Sequence, residues 1–185
     1  MSNSQSIIDI GNTYFMHTYS QFPIVLQSGT GSTLFDVDGK SYIDMVAGIA
    51  VNSLGYKEEQ LTARLHEVID QGLLHCSNLY WNPYAVKAAQ LLSRLGEMDR
   101  VFFCNSGTEA NEAAIKLVRK LGSLQASDKT DIITMEHSFH GRTYASMTAT
   151  GQTKYQKGFA PLVPGFSYAR FNDIESVQAL VSPKT

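Results

Sequence analysis

Residues Arg100–Ala114 read RVFFCNSGTEANEAA, and this stretch decides the fold prediction. The apolar run Val101–Cys104 predicts a short strand, and a Ser-Gly-Thr turn leads from it into an amphipathic helix. The first amides of a helix lack intrahelical acceptors and lie at the positive end of the helix dipole, so a phosphate is favoured there. Because Gly107 has no Cβ, the backbone can approach such a ligand closely. The stretch therefore indicates an anion site at the start of a helix.

A capping box is the alternative explanation of the same turn. Ser106 fits the N-cap position and Glu109 follows three residues later, an arrangement that by itself only stabilises the start of a helix. Taken alone, the pattern favours capping over phosphate binding. If a phosphate binds, the Glu109 carboxylate would repel it unless that carboxylate turns back onto the cap. The two interpretations of Ser106 are therefore compatible.

A second cluster lies in Asp131–Thr143, which reads DIITMEHSFHGRT. An apolar strand is followed by a turn that holds an aromatic ring, an imidazole, a glycine and a guanidinium. The ring of Phe139 suits stacking on a planar group, and Arg142 offers the planar fork that binds a carboxylate. Taken singly, each residue also has a structural explanation: Phe139 in the core, His140 in a satisfied turn and Arg142 at a solvated helix start.

Along the chain, helical and strand patterns alternate in the second half. The predicted strands are 24–26, 33–37, 41–44, 101–104, 131–135 and 166–169. The predicted helices are 57–71, one opening at Asn82-Pro83, one over the Ala-rich stretch after residue 107, one from about 142 and one capped by Asn172. Asp38-Gly39 predicts a hairpin, and Gly29–Gly31 a turn. Alternation of this kind predicts an α/β layer fold with a largely parallel sheet, whose ligands lie at the carboxyl ends of strands.

Composition argues against several function classes. The 185 residues carry 43% hydrophobic and 17% charged residues with a net charge of −2 and no Lys/Arg run, so we expect neither nucleic-acid nor membrane binding. Cys76 and Cys104 have no motif spacing, which favours reduced thiols in the cytoplasm. His137 and His140 lack the further ligands of a zinc shell, so no metal site is predicted. No signal peptide or membrane span is visible.

Taken together, the motifs resemble the class III, pyridoxal-phosphate-dependent aminotransferases, and within them the acetylornithine branch. The resemblance covers nearly the whole chain and rests on DVDGKSYID at 36–44, VAGIAVNSLG at 46–55, NSGTEANEAA at 105–114 and FHGRT at 139–143. The sequence departs from the class after Gly55. It has YKEE at 56–59 where the class usually has His, any residue, His and Pro.

This resemblance implies an aspartate-aminotransferase-like architecture, PLP fold type I, in incomplete form. Residues 1–56 would be an N-terminal arm and hairpin segment, and residues 57–185 the first part of the large, mostly parallel-sheet cofactor-binding domain. The rest of that domain and the C-terminal domain would be absent. Members of the class run well beyond Thr185 and carry their Schiff-base lysine there, so no catalytic residue is expected in this chain. Residues 1–185 alone are expected to be inactive.

Site roles also follow from the resemblance. Gly107 and Thr108 would hold the phosphate of pyridoxal 5′-phosphate with Ser106 as a supporting donor, Phe139 would stack on the pyridine ring, and Arg142 would receive the substrate α-carboxylate. His140 would lie behind the residues that contact the cofactor and substrate, or it would have only a structural role. Weaker substrate-side candidates are Tyr19 and Asn78.

The implied reaction is amino transfer from N2-acetylornithine to 2-oxoglutarate in arginine biosynthesis, by a cytoplasmic homodimer whose partners are an amino acid and a 2-oxo acid. Two alternatives stay open. One is another transferase of the class, acting on 4-aminobutyrate, ornithine or succinylornithine. The other is a non-catalytic module that binds phosphate or a cofactor.

Overall fold

The computed structural model describes residues 3–185, which form two compact units. The first unit ends at Asn82 and the second begins at Pro83. The domain division expected from the sequence, between residues 56 and 57, stays a prediction. Among the described residues, no helix combines the length and apolar character that a membrane crossing requires.

The first unit contains a small antiparallel sheet in the order β1-β2-β3. Its elements are α1 (Asn3–Tyr14), β1 (Leu26–Thr30), β2 (Thr33–Asp36), β3 (Ser41–Ile43), α2 (Ala47–Ala50) and α3 (Glu59–Gln71). The arm before the sheet therefore contains a helix of 12 residues, α1. In α3, the Glu58 side chain caps the start and Gly72 ends the helix with φ +76°, as its pattern predicts.

A buried carboxylate organises the β2–β3 hairpin, whose turn at Asp38-Gly39 is confirmed. Asp36 is 8% exposed and accepts hydrogen bonds from the Tyr42 hydroxyl at 2.7 Å and from the Lys40 amide at 2.8 Å. The Tyr42 hydroxyl is the largest cause that holds the pKa of Asp36 below its usual range. Gly39 takes φ +84°, which the turn requires.

Strand β1 lies later than predicted. Instead of 24–26 it spans Leu26–Thr30, because Thr30 pairs with Thr33 across a two-residue loop. The expected turn at 29–31 is therefore shortened to Gly31 and Ser32. Gly29 lies within this strand. Glycine suits the position because an added Cβ would be 2.7 Å from the Tyr56 ring.

The single turn α2 has left-handed backbone. Its four residues Ala47–Ala50 all have φ between +49° and +66°. Asp44 supports this turn, since one carboxylate oxygen accepts the amides of Val46 and Ala47, each at 2.9 Å. The Ala47 amide is the largest cause that lowers the pKa of Asp44.

The second unit alternates helices and strands. Its elements are α4 (Pro83–Gly96), α5 (Gly107–Gln125), β4 (Ile132–Met135), α6 (Tyr144–Ala149), α7 (Thr153–Gln156), β5 (Phe166–Ala169) and α8 (Ile174–Leu180). β4 and β5 pair in parallel, with Ile132 opposite Phe166 and Met135 opposite Ala169. The helices α6 and α7 form the crossover that a parallel pair needs. This α/β arrangement agrees with the predicted fold class.

The core of the second unit surrounds α6. Met147 and Ala149 are 5% and 1% exposed, and Ala169 at the end of β5 is fully buried. Polar residues are buried in the same helix, and their hydroxyls bond to nearby carbonyl oxygens. One example is Thr148, whose hydroxyl donates to the Tyr144 carbonyl at 2.7 Å.

Two local predictions are wrong. Val101–Cys104 forms no strand, because no strand pairs with it within residues 3–185 and a strand needs a ladder partner. The cap of α8 is Asp173 rather than Asn172. Asn172 has left-handed backbone with φ +60°, whereas Asp173 is extended and its carboxylate accepts the Ser176 amide at 3.0 Å.

We predict that Gly122→Ala destabilises the protein, although Ala is the better helix former. A Cβ at Gly122 would lie 2.1 Å from the Lys129 carbonyl oxygen, so α5 would have to move away from the segment before β4. We expect a loss of about 1–3 kcal/mol in the free energy of unfolding, measured by denaturant titration.

The matched control is Gly96→Ala at the end of α4. There the nearest atom to an added Cβ is Met98 Cγ at 3.8 Å, an ordinary contact, so stability should stay the same or rise slightly. Equal effects of the two substitutions would contradict the close packing of α5 at Gly122.

Candidate functional site

The start of α5 contains the predicted capping box. The Ser106 hydroxyl accepts the Glu109 amide at 3.2 Å, and the Glu109 carboxylate turns back to accept the Asn105 amide at 2.6 Å. The Asn105 side-chain amide also donates to Glu109 at 3.2 Å and is the largest cause that lowers the pKa of this carboxyl. The negative charge of Glu109 is thus held toward Asn105, which is the orientation that a phosphate at this helix start requires.

Three amides at this helix start precede the first intrahelical bond, which joins the Ala110 amide to the Ser106 carbonyl at 3.1 Å. The Ser106 hydroxyl accepts the Glu109 amide, which leaves two amides without an intrahelical acceptor. They belong to Gly107 and Thr108 and point out of the helix start as donors. Apart from the adjacent residues and the backbone of α5, no atom of residues 3–185 lies within 4 Å of the position that a Cβ of Gly107 would occupy, so the space beside these donors is open. The geometry suits an anion.

One face of α5 holds the loop that carries the second motif. Thr108, Asn111 and Glu112 lie at helical spacing on that face. The Thr108 hydroxyl oxygen accepts the Arg142 amide at 3.3 Å, and the Asn111 side chain donates to the His140 carbonyl at 2.7 Å. The structure therefore brings the two predicted motifs together.

Gly141 permits this close approach. Its φ is +137°, and a Cβ there would lie 2.0 Å from the Thr108 hydroxyl oxygen and 3.0 Å from the Ser146 Cβ. Any side chain at this position would both strain the backbone and separate the loop from α5.

Glu112 supplies the cap that α6 lacks. Thr143 occupies the N-cap position of α6 without capping through its own side chain, and its hydroxyl donates to the Glu112 carboxylate instead. The same carboxylate oxygen accepts the Ser146 amide at 2.9 Å. Partial burial by itself raises the pKa of Glu112, but the hydrogen bonds from Thr143 and Ser146 outweigh burial, and the pKa lies below its ordinary value.

Arg142 lies against two aromatic rings. Its guanidinium carbon is 5.5 Å from the ring centre of Phe139 and 4.2 Å from that of Tyr155. The two rings meet edge to face with centres 5.9 Å apart. Phe139 itself is 56% exposed, so it is not the core residue of the structural alternative. No carboxylate within residues 3–185 forms an ion pair with Arg142, and its fork is available to a ligand.

The remaining sequence candidates have other positions. His140 is fixed mainly through its backbone, since its amide donates to the Thr150 hydroxyl at 2.9 Å. Tyr19 and Asn78 are exposed residues of the first unit, and their substrate roles stay predictions. A cleft of about 490 Å³ opens beside the ends of β4 and β5, and none of the five predicted site residues lines it.

Sequence reasoning missed three residues of this arrangement: Asn111, Glu112 and Tyr155. The first two could have been found, because they stand three and four positions after Thr108 and so share its helix face. No local signal marks Tyr155, which reaches Arg142 only through the placement of α7.

Comparisons with known proteins point to one family. The Aminotransferase class-III family model matches residues 14–182. An acetylornithine aminotransferase from Aquifex aeolicus is 50% identical over 174 residues, which are 94% of this chain and 46% of that protein. One from Methanothermobacter thermautotrophicus is 45% identical over 184 residues, 99% of this chain and 45% of the relative. The chain thus spans less than half the length of these curated relatives.

Solved structures give the same fold. The ornithine aminotransferase of Toxoplasma gondii superposes with a TM-score of 0.89 at 23% identity and covers 97% of this chain, which covers 43% of that structure. A Bacillus anthracis aminotransferase gives a TM-score of 0.81 at 27% identity, with coverages of 92% and 39%. The predicted PLP fold type I architecture, as a partial α/β unit with a parallel strand pair, is confirmed.

We predict that the Glu112 carboxylate makes stability depend on acidic pH. Its pKa is lower in the folded than in the unfolded protein, so the folded protein binds fewer protons. Its contribution should be complete above its ordinary pKa of 4.5 and should be lost as pH falls through the folded-state pKa. We expect Glu112→Gln to lower the melting temperature at pH 7, with a difference from wild type that narrows on acidification to about pH 4. A difference that stays constant with pH would show that the charge of Glu112 is not what stabilises α6.

Proposed function

This chain belongs to the class-III aminotransferases, and from that membership we propose that the complete protein containing it transfers the amino group of N2-acetylornithine to 2-oxoglutarate, with pyridoxal 5′-phosphate as cofactor. The products would be N-acetylglutamate 5-semialdehyde and glutamate, as in arginine biosynthesis. The relatives named above, which are 45–50% identical, support this substrate. One observation carries the proposal at the site. The Thr108 hydroxyl oxygen, at the start of α5, accepts the Arg142 amide, so the proposed phosphate site and the proposed carboxylate fork share one hydrogen-bonded unit.

The residues present fit the cofactor. The amides of Gly107 and Thr108 are donors without intrahelical acceptors, and open space lies beside Gly107. The Thr108 hydroxyl oxygen accepts from Arg142, which leaves its own proton to donate to a phosphate oxygen. The Ser106 hydroxyl already donates to Glu109 at 3.2 Å, so we assign Ser106 a supporting role that maintains the cap.

Ring and carboxylate recognition would come from the second motif. Phe139 offers an exposed apolar ring to the cofactor ring, and Arg142 offers a fork to the substrate α-carboxylate. Pyridoxal phosphate, when bound, supplies the electron sink for amino transfer. The residues of this chain would hold the phosphate, support the ring and orient the carboxylate beside the reacting carbon. We also propose that the protein works as a cytoplasmic homodimer.

The test of the substrate is a comparison of amino donors with the complete protein. We expect kcat/KM with 2-oxoglutarate to be highest for N2-acetylornithine, ahead of ornithine, 4-aminobutyrate and N2-succinylornithine. A preference for one of the other donors would assign the protein to a different branch of the family. Cofactor binding without turnover of any donor would favour the non-catalytic module. That residues 1–185 alone lack turnover stays a prediction.

We predict that Gly107→Val weakens cofactor binding while folding is retained. The added side chain meets no protein atom near its Cβ position, but it would occupy the space beside the two donor amides. Since a charge-assisted hydrogen bond contributes about 1.5–3 kcal/mol, the dissociation constant of pyridoxal phosphate should rise at least about tenfold. Fluorescence titration measures it, and the melting temperature of the cofactor-free protein is the control. An unchanged affinity of Gly107→Val for pyridoxal phosphate would contradict the assignment of Gly107 to the phosphate site.

We predict that Arg142→Lys raises KM for the amino donor and for the oxo-acid acceptor together. Both present a carboxylate beside the reacting carbon, and Lys cannot reproduce the bidentate fork. The loss should be roughly ten- to a hundredfold in kcat/KM, with little change in cofactor affinity.

The matched control is Arg170→Lys, which replaces an exposed guanidinium that pairs with Asp173 at 2.7 Å. This control should leave both KM values unchanged. If Arg142→Lys instead weakened cofactor binding and spared the substrates, Arg142 would be a phosphate ligand and the proposed roles would be wrong.

A further inference from the structure

We propose that Tyr155 is the residue that positions the Arg142 guanidinium for carboxylate binding. This inference rests on the role of Arg142 in the proposed function. The guanidinium carbon lies 4.2 Å from the ring centre of Tyr155, closer than its 5.5 Å to Phe139. Of the two rings, Tyr155 therefore makes the closer contact with the guanidinium.

The geometry separates the two tasks of the guanidinium. A guanidinium can contact an aromatic ring through the flat face of the guanidinium, whereas it binds a carboxylate through the N–H groups at its edge. Contact with the Tyr155 ring therefore restricts the rotamers of a long side chain, and the N–H groups that do not face the ring remain available as donors. A guanidinium that is already oriented loses less conformational entropy when a carboxylate binds.

Burial supports this division. Arg142 is exposed, and without a support its side chain would sample many rotamers. Tyr155 is half-buried, and its amide donates to the Gln152 carbonyl at 3.0 Å, so its backbone is fixed in the first turn of α7. The neighbouring Gln156 is also held, since its side-chain amide donates to the carbonyl of Thr150 at 2.9 Å. Tyr155 thus stands on a fixed element beside a long, exposed side chain.

Phe139 does not replace Tyr155 in this role. In the proposed function, the ring of Phe139 supports the cofactor, and its edge-to-face contact with Tyr155 keeps the two rings at a fixed angle of 73°. Tyr155 also lies under a second cation, Lys154, whose ammonium is 4.8 Å from the ring centre. The ammonium is a point charge without a planar fork, so we assign it no part in orienting the carboxylate.

The experiment compares Tyr155→Leu with Tyr155→Phe in the complete, cofactor-loaded protein. Tyr155→Leu removes the ring, so KM for both carboxylate substrates should rise roughly two- to fivefold while kcat changes less. Tyr155→Phe keeps the ring face that contacts Arg142 and should retain wild-type KM. Lys154→Met is the control for charge near the ring and should leave both KM values within about twofold of wild type, given that exposed charges contribute little.

A second readout is independent of turnover. Glutarate carries the carboxylates but not the reacting carbonyl, so its dissociation constant, measured by calorimetry, should rise by the same factor in Tyr155→Leu. A fall in cofactor affinity or melting temperature that accounts for the whole change would overturn the proposal, because the ring would then be only a packing residue. So would a rise in KM for Tyr155→Phe equal to that for Tyr155→Leu.

Arg142→Lys, measured in parallel, separates the two levels of the argument. If it leaves substrate KM unchanged, the proposed role of Arg142 fails, and the positioning role fails with it. If it raises KM while Tyr155→Leu does not, the role of Arg142 stands and that of Tyr155 is overturned.

Discussion

Most of the short helix α6 is buried, and both of its ends must find hydrogen-bond partners outside the helix. At its start, the Glu112 carboxylate of α5 accepts the Thr143 hydroxyl and the Ser146 amide. At its end, the Gln156 side chain donates to the Thr148 and Thr150 carbonyls at 3.2 and 2.9 Å. A buried polar group left without a partner costs about 1–3 kcal/mol, so these contacts fix where α6 can lie.

The candidate site takes its shape from that constraint. Arg142 stands just before α6, and Tyr155 stands in α7 just after it, so the placement of one helix decides the position of both. On the other side, Thr108 and Asn111 hold the loop before α6 against α5. The residues proposed to bind phosphate and carboxylate are therefore positioned by one set of contacts. The parallel strands β4 and β5, which α6 and α7 connect, hold these contacts in place.

The sequence predicts those features that depend on bonds between close neighbours. The box of Ser106 and Glu109 and the end of α3 at Gly72 both depend on short-range patterns. Features that need a distant partner were not predictable in this way. Val101–Cys104 has the composition of a strand but no ladder partner among the described residues, and Glu112 reaches a donor 31 positions away. For the site, the motifs supplied the residues that are proposed to bind, whereas the contact between Arg142 and Tyr155 required the structure.

The hydrogen bonds between α5 and the start of α6 join residues that are 29–38 positions apart in the chain. Closing a loop of that length costs conformational entropy once, whether one of these bonds forms or all five. The first bond bears that whole cost, and each later bond forms between groups that are already close. The loop before α6 should therefore assemble and open together with that helix as a cooperative unit. We expect no stable form in which Arg142 is in place and α6 is not.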